Sequence, residues 1–194
     1  MNILLTAFDP FAGAKQNQSK RMVEALTMND PEVVVTKKFL PVDYDDRTIV
    51  SLLENDDFDT IILTGEAKGR KKICFEHHAV NTTYALVPDN KNIIKMGGPI
   101  VDDGPLALKN TIGFMTMIDR LSNKHAARLS FSAGAYLCNM NYYLALYHAS
   151  IQNKKTKIGF VHVPVFDGDD ANEKQMSKNI ALFNDLIGLL RIKQ

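Results

Sequence analysis

Short apolar runs that alternate with segments of helical spacing constrain the fold of this 194-residue chain more than any other feature of its sequence. The runs that are typical of strands occupy residues 3–7, 33–42, 60–64, 72–80, 128–131 and 157–163. A helix between two strands returns the chain to the same end of the sheet, so the strands on either side pair in parallel. The pattern predicts an α/β fold: a three-layer α/β/α sandwich, with a mostly parallel or mixed central sheet and helices on both faces.

The intervening segments carry the signals that begin and end helices. Ser19 is available as the N-cap of a helix that runs to residue 28, and the next helix is expected to begin at Asp43, with Asp46 in its first turn. Residues 112–121 have helical spacing. Asn172 and Gln175 resemble a capping box before the last helix.

Proline and glycine positions predict where the regular elements stop. Residues 85–104 contain two prolines and consecutive glycines, which indicates a long structured excursion without regular sheet. Pro164 is expected to end the last strand, because proline cannot donate to a sheet. The acidic segment 167–170 is too short for a calcium loop and is interpreted as a solvated turn.

Composition excludes several classes of function. The 23 Lys and Arg residues nearly balance the 22 Asp and Glu residues, so no strong field favours nucleic acid or an anionic membrane surface. Two cysteines do not form a disulfide framework, and the N-terminus lacks the basic and apolar regions of a signal peptide. No apolar run approaches the roughly 20 residues of a membrane-spanning helix. We therefore expect one domain over residues 1–194, cytoplasmic and with reduced thiols, that acts on small neutral partners.

One stretch, residues 130–140, joins an apolar strand to a helix through a turn of small residues and carries Cys138. A thiol at the start of a helix lies near unpaired backbone N–H groups and the positive end of the dipole, which favour the thiolate. Such a group can attack a carbonyl. The alternative is a free cysteine that packs as a small hydrophobic residue.

A cysteine nucleophile needs a base and often a third group that orients the base. His162 lies near the carboxyl end of an apolar strand, and Glu76 lies within another, where a carboxylate must be paired. The residues alone leave two alternatives open. His162 can be a hydrogen-bonded core residue, and Glu76 can share a solvated sheet edge with Cys74 and His78.

Other polar clusters give weaker signals. Adjacent residues of a strand point to opposite faces, so His77 and His78 are not expected to share a metal ion. Residues 65–70 lack the spacing of a phosphate loop and are interpreted as a tight turn with solvated basic residues. We therefore predict no metal and no cofactor.

Several segments, in order along the chain, match one known family. Residues 6–13 are similar to its Thr-Gly-Phe-x-Pro-Phe-Gly-Gly, 132–139 to its Thr-Ala-Gly-Thr-Phe-Val-Cys-Asn, and 159–164 to its Gly-Phe-Ile-His-Val-Pro. Shorter matches are residues 17–19, 69–70 with Glu76, 79–81, 88–90 and 103–105. Over nearly its whole length the chain resembles the pyroglutamyl peptidase I family, the pyrrolidone-carboxylate peptidases, which are cysteine peptidases.

The resemblance implies a mechanism and a set of residues. Cys138 would be the nucleophile, His162 the general base, and Glu76 the group that orients the imidazole. The enzyme would hydrolyse the N-terminal pyroglutamyl residue from short peptides through an acyl-enzyme, as a homodimer or homotetramer. The positions that match the substrate pocket are Phe8, Phe11, Asn17, Glu66, Val87, Tyr136 and Leu137.

The chain departs from the family pattern at three positions. Glu66 replaces the glutamine that meets the lactam, Lys68 replaces a glycine, and Leu86 replaces an arginine beside the reacting carbonyl. A glutamate accepts from a lactam N–H but donates only when it is protonated, and Lys68 is a candidate partner for it. The departures allow two alternatives: a thiol hydrolase of altered N-terminal acyl specificity, or a non-catalytic homologue that binds a small ligand.

Overall fold

A computed structural model describes residues 1–45, 47–55, 57–166 and 168–192 of the chain. The strands are β1 (Asn2–Phe8), β2 (Val34–Leu40), β3 (Thr60–Lys68), β4 (Ile73–Glu76), β5 (His78–Val80), β6 (Ala107–Lys109), β7 (Ala127–Ser130) and β8 (Lys157–Val165). The α-helices are α1 (Gln18–Ala25), α2 (Arg47–Asn55), α3 (Ile118–Ser122), α4 (Leu137–Ile151) and α5 (Asp169–Ile192). None of the described helices is both long and apolar enough to cross a membrane.

The central sheet has six strands in the order β2-β1-β3-β8-β4-β7. The pairs β2–β1, β1–β3 and β3–β8 are parallel. β4 is antiparallel to β8, and β7 is parallel to β4. The connection from β3 to β4 is only residues 69–72, which is too short for a crossover to a parallel strand. A separate antiparallel pair joins β5 and β6.

Two apolar cores lie on opposite faces of the sheet. Along β8, Val161 and Val163 join the core that includes α1, α3 and α5, whereas Ile158 and Phe160 join the core that includes α2 and α4. This alternation follows from the two-residue period of a strand. The predicted α/β class, with a mixed central sheet and helices on both faces, is confirmed.

Several strand boundaries differ from the sequence prediction, and three of these differences concern the strands that carry the candidate site. The predicted strand 72–80 divides at His77, where the chain leaves the central sheet for the small one. β3 continues to Lys68, so residues 65–68 are sheet and not loop. β8 continues through Pro164, which lies opposite Ala67 on β3. On its other side β8 pairs with β4 only up to His162, so the missing N–H of Pro164 interrupts no ladder there.

The helix boundaries also differ. Asn17, not Ser19, caps α1: its Oδ1 accepts from the backbone N–H groups of Ser19 at 3.0 Å and Lys20 at 3.3 Å, and the helix ends at Ala25. α2 begins at Arg47, not at Asp43, and Asp46 lies outside the described residues.

The later helices show similar shifts. The segment 112–121 divides into a 3₁₀ turn, Phe114–Thr116, and α3. α5 begins at Asp169, before Asn172, so the predicted capping box is wrong. The Asn172 amide instead donates to the carbonyl oxygens of Phe166 at 2.8 Å and Gly168 at 2.9 Å. Asp167, in the predicted solvated turn, lies outside the described residues.

The predicted excursion is present between β5 and β6, where a single bridge between Tyr84 and Met96 is the only strand-like pairing in the fully described segment 81–106. Asn81 organises it through four hydrogen bonds. Its Nδ2 donates to Val101 O at 2.8 Å and Gly104 O at 3.1 Å, and its Oδ1 accepts from the N–H groups of Ile100 and Val101. One side chain therefore satisfies four backbone groups that lie outside regular sheet.

We predict that Asn81→Ala lowers the free energy of unfolding by about 2 to 4 kcal/mol, because several backbone groups lose their partner at once. Asn90→Ala is the matched control. Its amide makes one hydrogen bond, to Pro10 O at 3.2 Å, so a loss below about 1 kcal/mol is expected. Urea unfolding of both variants measures the difference, and equal losses would contradict this role of Asn81.

Candidate active site

Cys138 lies in the first turn of α4, where the sequence pattern puts it. Tyr136 is the N-cap in extended conformation, and its side chain makes no capping hydrogen bond, so it leaves the N–H groups of the first turn uncapped. The sulfur packs against Gly65 of β3: a Cβ at that position would lie 2.8 Å from Sγ and 3.1 Å from Cζ of Phe160. Only glycine therefore leaves room for the thiol.

His162 and Glu76 form a buried pair. His162 Nδ1 lies 2.7 Å from Oε1 of Glu76, and the side chains are 5% and 0% exposed. The antiparallel pairing of β4 with β8 brings the two residues diagonally opposite on one face of the sheet. The alternative of a solvated sheet edge at Glu76 is therefore wrong.

Arg70 completes the environment of Glu76. Its Nη1 donates to Oε1 of Glu76 at 2.6 Å and to the hydroxyl of Ser130 at 3.2 Å, and its Nη2 donates to Ser132 O at 2.8 Å. The interpretation of residues 65–70 as a turn with solvated basic residues is wrong for Arg70. The requirement that a buried Glu76 be paired is the signal that could have identified Arg70 from the sequence.

Burial and nearby charges shift the pKa values of Cys138 and His162. Burial lowers the pKa of His162, and the hydrogen bond that its Nδ1 donates to Glu76 opposes this shift only in part. Burial raises the pKa of the Cys138 thiol to about 12; the charges of Glu76 and Glu66 add to this, and Arg70 opposes it. Both shifts favour a thiol and a neutral imidazole in the free site at neutral pH.

The hydrogen bond to Glu76 selects the tautomer of His162. A carboxylate only accepts hydrogen bonds, so the proton between the two side chains belongs to Nδ1. Nε2 is then unprotonated and can accept a proton. This is the state that a general base requires.

Cys138 and His162 line one cavity of about 190 Å³. Its volume suits a small ligand and is below the range typical of drug-sized ligands. Six of the seven predicted binding residues line it: Phe8, Phe11, Asn17, Glu66, Tyr136 and Leu137. Sequence reasoning missed two further wall residues, Val42 and Ala133. Val87 lies outside the lining, half-exposed on the excursion.

Glu66 is the charged residue of the cavity wall. Its Oε2 accepts from the backbone N–H of Gln18 at 2.8 Å, at the first residue of α1. Burial raises the pKa of Glu66, while the Gln18 hydrogen bond and the charge of Lys68 oppose the shift. The partner of Glu66 is thus a backbone group at a helix start, and Lys68 is exposed.

Two other sequence expectations concern residues outside the cavity lining. Leu86 is 68% exposed on the excursion.

The Nδ1 atoms of His77 and His78 lie 3.3 Å apart, because the chain turns between β4 and β5. The expectation that the two rings lie on opposite faces is therefore wrong. In the part of the chain that the structure describes, no three or more His, Cys, Asp or Glu side chains group as metal ligands.

The comparisons with known proteins agree with one another. The model of the pyroglutamyl peptidase family matches residues 1–186. The pyrrolidone-carboxylate peptidase of Bacillus cytotoxicus is 32% identical, over 90% of this chain and 85% of the relative. That of Thermococcus kodakarensis is also 32% identical, with the same coverage. A mutant pyrrolidone carboxyl peptidase from Pyrococcus furiosus superposes with a TM-score of 0.90 at 29% identity, over 100% of this chain and 99% of that chain.

We predict that His162 titrates below pH 6.5, because burial disfavours its charged form. Glu76→Gln removes the charge that raises this pKa, so the midpoint moves to still lower pH. NMR of ¹⁵N-labelled imidazoles measures both the midpoint and the Nδ1–H tautomer. An upward shift in Glu76→Gln, or protonation of Nε2 alone at neutral pH, would contradict the assignment.

We also predict that Arg70→Met lowers the free energy of unfolding by about 3 to 5 kcal/mol, because it leaves a buried carboxylate without its cation. Arg70→Met combined with Glu76→Gln should recover a large part of this loss. Chemical unfolding of the single and double variants measures the coupling. Additive losses would show that Arg70 does not compensate the charge of Glu76.

Proposed function

The chain belongs to the pyroglutamyl peptidase family, and from that membership we propose that Cys138, His162 and Glu76 carry out its cysteine-type omega-peptidase reaction. The substrates are short peptides whose N-terminus is a pyroglutamyl residue. The observation that carries this proposal is one small cavity lined by Cys138 and His162, with Nδ1 of His162 bound by the buried Glu76.

The first half of the reaction transfers the acyl group to sulfur. Nε2 of His162 takes the proton of the Cys138 thiol as Sγ attacks the carbonyl carbon of the pyroglutamyl residue. Backbone N–H groups in the first turn of α4 can stabilise the negative charge that develops on the carbonyl oxygen. The tetrahedral intermediate then breaks its C–N bond, the imidazolium protonates the leaving amine, and a thioester remains on Cys138.

The second half returns the free enzyme. His162 takes a proton from water, which attacks the thioester carbonyl carbon, and the C–S bond breaks. The imidazolium protonates the sulfur, so that pyroglutamic acid and the neutral thiol result. Glu76 is a positioning residue throughout, since it accepts from Nδ1 and stabilises the imidazolium that forms in each half.

Arg70 and Leu86 affect how this site stabilises negative charge. Arg70 compensates the charge of Glu76, so that the carboxylate can remain ionised while buried. Leu86 carries no hydrogen-bond donor at the position where the family has an arginine. Stabilisation of the oxyanion therefore depends on the backbone N–H groups of α4.

The same family membership supports proposals about the domain organisation, cellular location and oligomeric state of the enzyme. Residues 1–194 form one catalytic domain, in the cytoplasm, that needs no nucleic acid or membrane partner. The chain assembles as a homodimer or homotetramer. Light scattering coupled to size exclusion tests the assembly, and a monomer at micromolar concentration would contradict it.

We predict that the reduced protein releases aminomethylcoumarin from its pyroglutamyl amide and that Cys138→Ser lowers kcat at least about 1,000-fold, because the nucleophile is lost. Cys74→Ser is the matched control. The Cys74 sulfur lies near Lys72 O and Nε of Arg128, not in the cavity lining, so this variant should retain activity. A wild-type protein inert on this amide would overturn the proposal in favour of a non-catalytic binding protein.

We predict that Gly65→Ala lowers kcat by about 10- to 100-fold, because a methyl group 2.8 Å from Sγ displaces the thiol. Gly188→Ala, on α5, is the matched control, since nothing lies within 4 Å of its added Cβ. Steady-state kinetics measure kcat for both variants, and circular dichroism verifies that both are folded. Equal activity would mean that the position of Sγ against β3 does not matter for the reaction.

A further inference from the structure

The cavity beside Cys138 is poor in side chains with free hydrogen-bond donors. Asn17 uses its Oδ1 to cap α1, and its Nδ2 lies 3.5 Å from Asp9 O. The Tyr136 hydroxyl donates to Pro88 O at 3.0 Å. The remaining side chains of the wall, apart from Cys138, His162 and Glu66, are apolar. A ligand that brings a carbonyl oxygen into this wall finds few side chains that can donate to it.

Glu66 makes the same cavity rich in acceptor capacity. One carboxylate oxygen is bound by the Gln18 N–H at the start of α1, where the helix dipole also favours negative charge. The other oxygen, Oε1, accepts no hydrogen bond from any described residue. The carboxylate follows Gly65, which contacts the nucleophilic sulfur, and its charge acts on the Cys138 thiol. An acyl group held for attack by Cys138 therefore lies beside a free acceptor.

We propose that this site also accepts peptides whose N-terminal residue is an unblocked proline, and that the ring ammonium pairs with Glu66. The inference rests on the proposed function for its chemistry, which is the same acyl transfer to Sγ followed by hydrolysis. Water and the prolyl peptide yield free proline and the shortened peptide. Only the group recognised by Glu66 differs between the two substrates.

The chemistry of the two N-terminal residues explains why Glu66 favours proline over pyroglutamate. Both present a five-membered ring of similar size to the apolar wall. Pyroglutamate carries a lactam carbonyl, an acceptor that a carboxylate repels, and a single N–H. Proline has a methylene in place of that carbonyl, and its charged nitrogen brings two donors. A carboxylate gains more from the ammonium, because hydrogen bonds between charged partners are the stronger ones.

The cavity also limits the class of cation. An ammonium group enters an apolar site only if it is paired, and Glu66 supplies the partner. The volume of about 190 Å³ and the aromatic walls at Phe8, Phe11 and Tyr136 favour a compact ring over a long, flexible side chain. N-terminal proline therefore fits better than N-terminal lysine or arginine.

The test compares kcat/KM for the aminomethylcoumarides of L-proline and L-pyroglutamate in the wild type and in Glu66→Gln. The amide keeps the shape of the side chain but removes the charge and adds a donor. We expect the ratio of prolyl to pyroglutamyl activity to fall about 10- to 100-fold in Glu66→Gln. Glu54→Gln removes the same charge on the exposed surface of α2 and should leave the ratio unchanged.

A binding measurement separates this inference from the proposed function. Calorimetry with the Cys138→Ser variant measures the affinities of L-prolinamide and L-pyroglutamamide, with and without Glu66→Gln. Tighter binding of prolinamide that is lost in Glu66→Gln supports the inference even if neither coumaride is cleaved. Cleavage of the pyroglutamyl substrate with no prolyl activity, no prolinamide binding and no effect of Glu66→Gln would overturn the inference and leave the proposed function intact.

Discussion

The buried carboxylate of Glu76 is the group on which the rest of the site depends. A charge in the interior of a sheet is stable only if its partners are held in place, and here Arg70 and His162 bind the same oxygen, Oε1, at 2.6 and 2.7 Å. Arg70 in turn binds Ser130 and Ser132, in the segment that leads into α4. The ion pair thus connects His162 to the turn that carries Cys138, through the side chains of Glu76 and Arg70 and the backbone carbonyl of Ser132.

The topology of the sheet makes this arrangement possible. β4 follows β3 after only four residues, 69–72, and must therefore run antiparallel to it. The position between β4 and β3 is filled by β8, which carries His162 beside Glu76 on one side and lies against Gly65 and Glu66 on the other. Residues far apart in sequence meet because β8 is central, and Cys138 reaches them from α4 packed on one face.

Local patterns in the sequence predicted the six strands of the central sheet, the α/β class and the cysteine at a helix start, because strand and helix periods and turn residues are properties of short segments. They did not predict β6, which pairs with β5 in the small sheet. The position of β8 beside β4, the ion pair at Arg70 and the continuation of β8 through Pro164 depend on which strands are neighbours, and no local pattern contains that information. The helix start alone favoured a thiolate at Cys138. In the folded site, burial and the charges of Glu76 and Glu66 act in the opposite direction and raise the pKa of the thiol, and the sequence does not show these neighbours.

In the proposed reaction the acyl group passes through a thioester on Cys138. Rapid acid quench of the wild-type protein with a pyroglutamyl amide, followed by peptide mass spectrometry, tests it most directly. We predict a pyroglutamyl adduct on the peptide that contains Cys138, present during turnover and gone when the substrate is exhausted. Continued turnover with no such adduct, or an adduct on Cys74 instead, would contradict it.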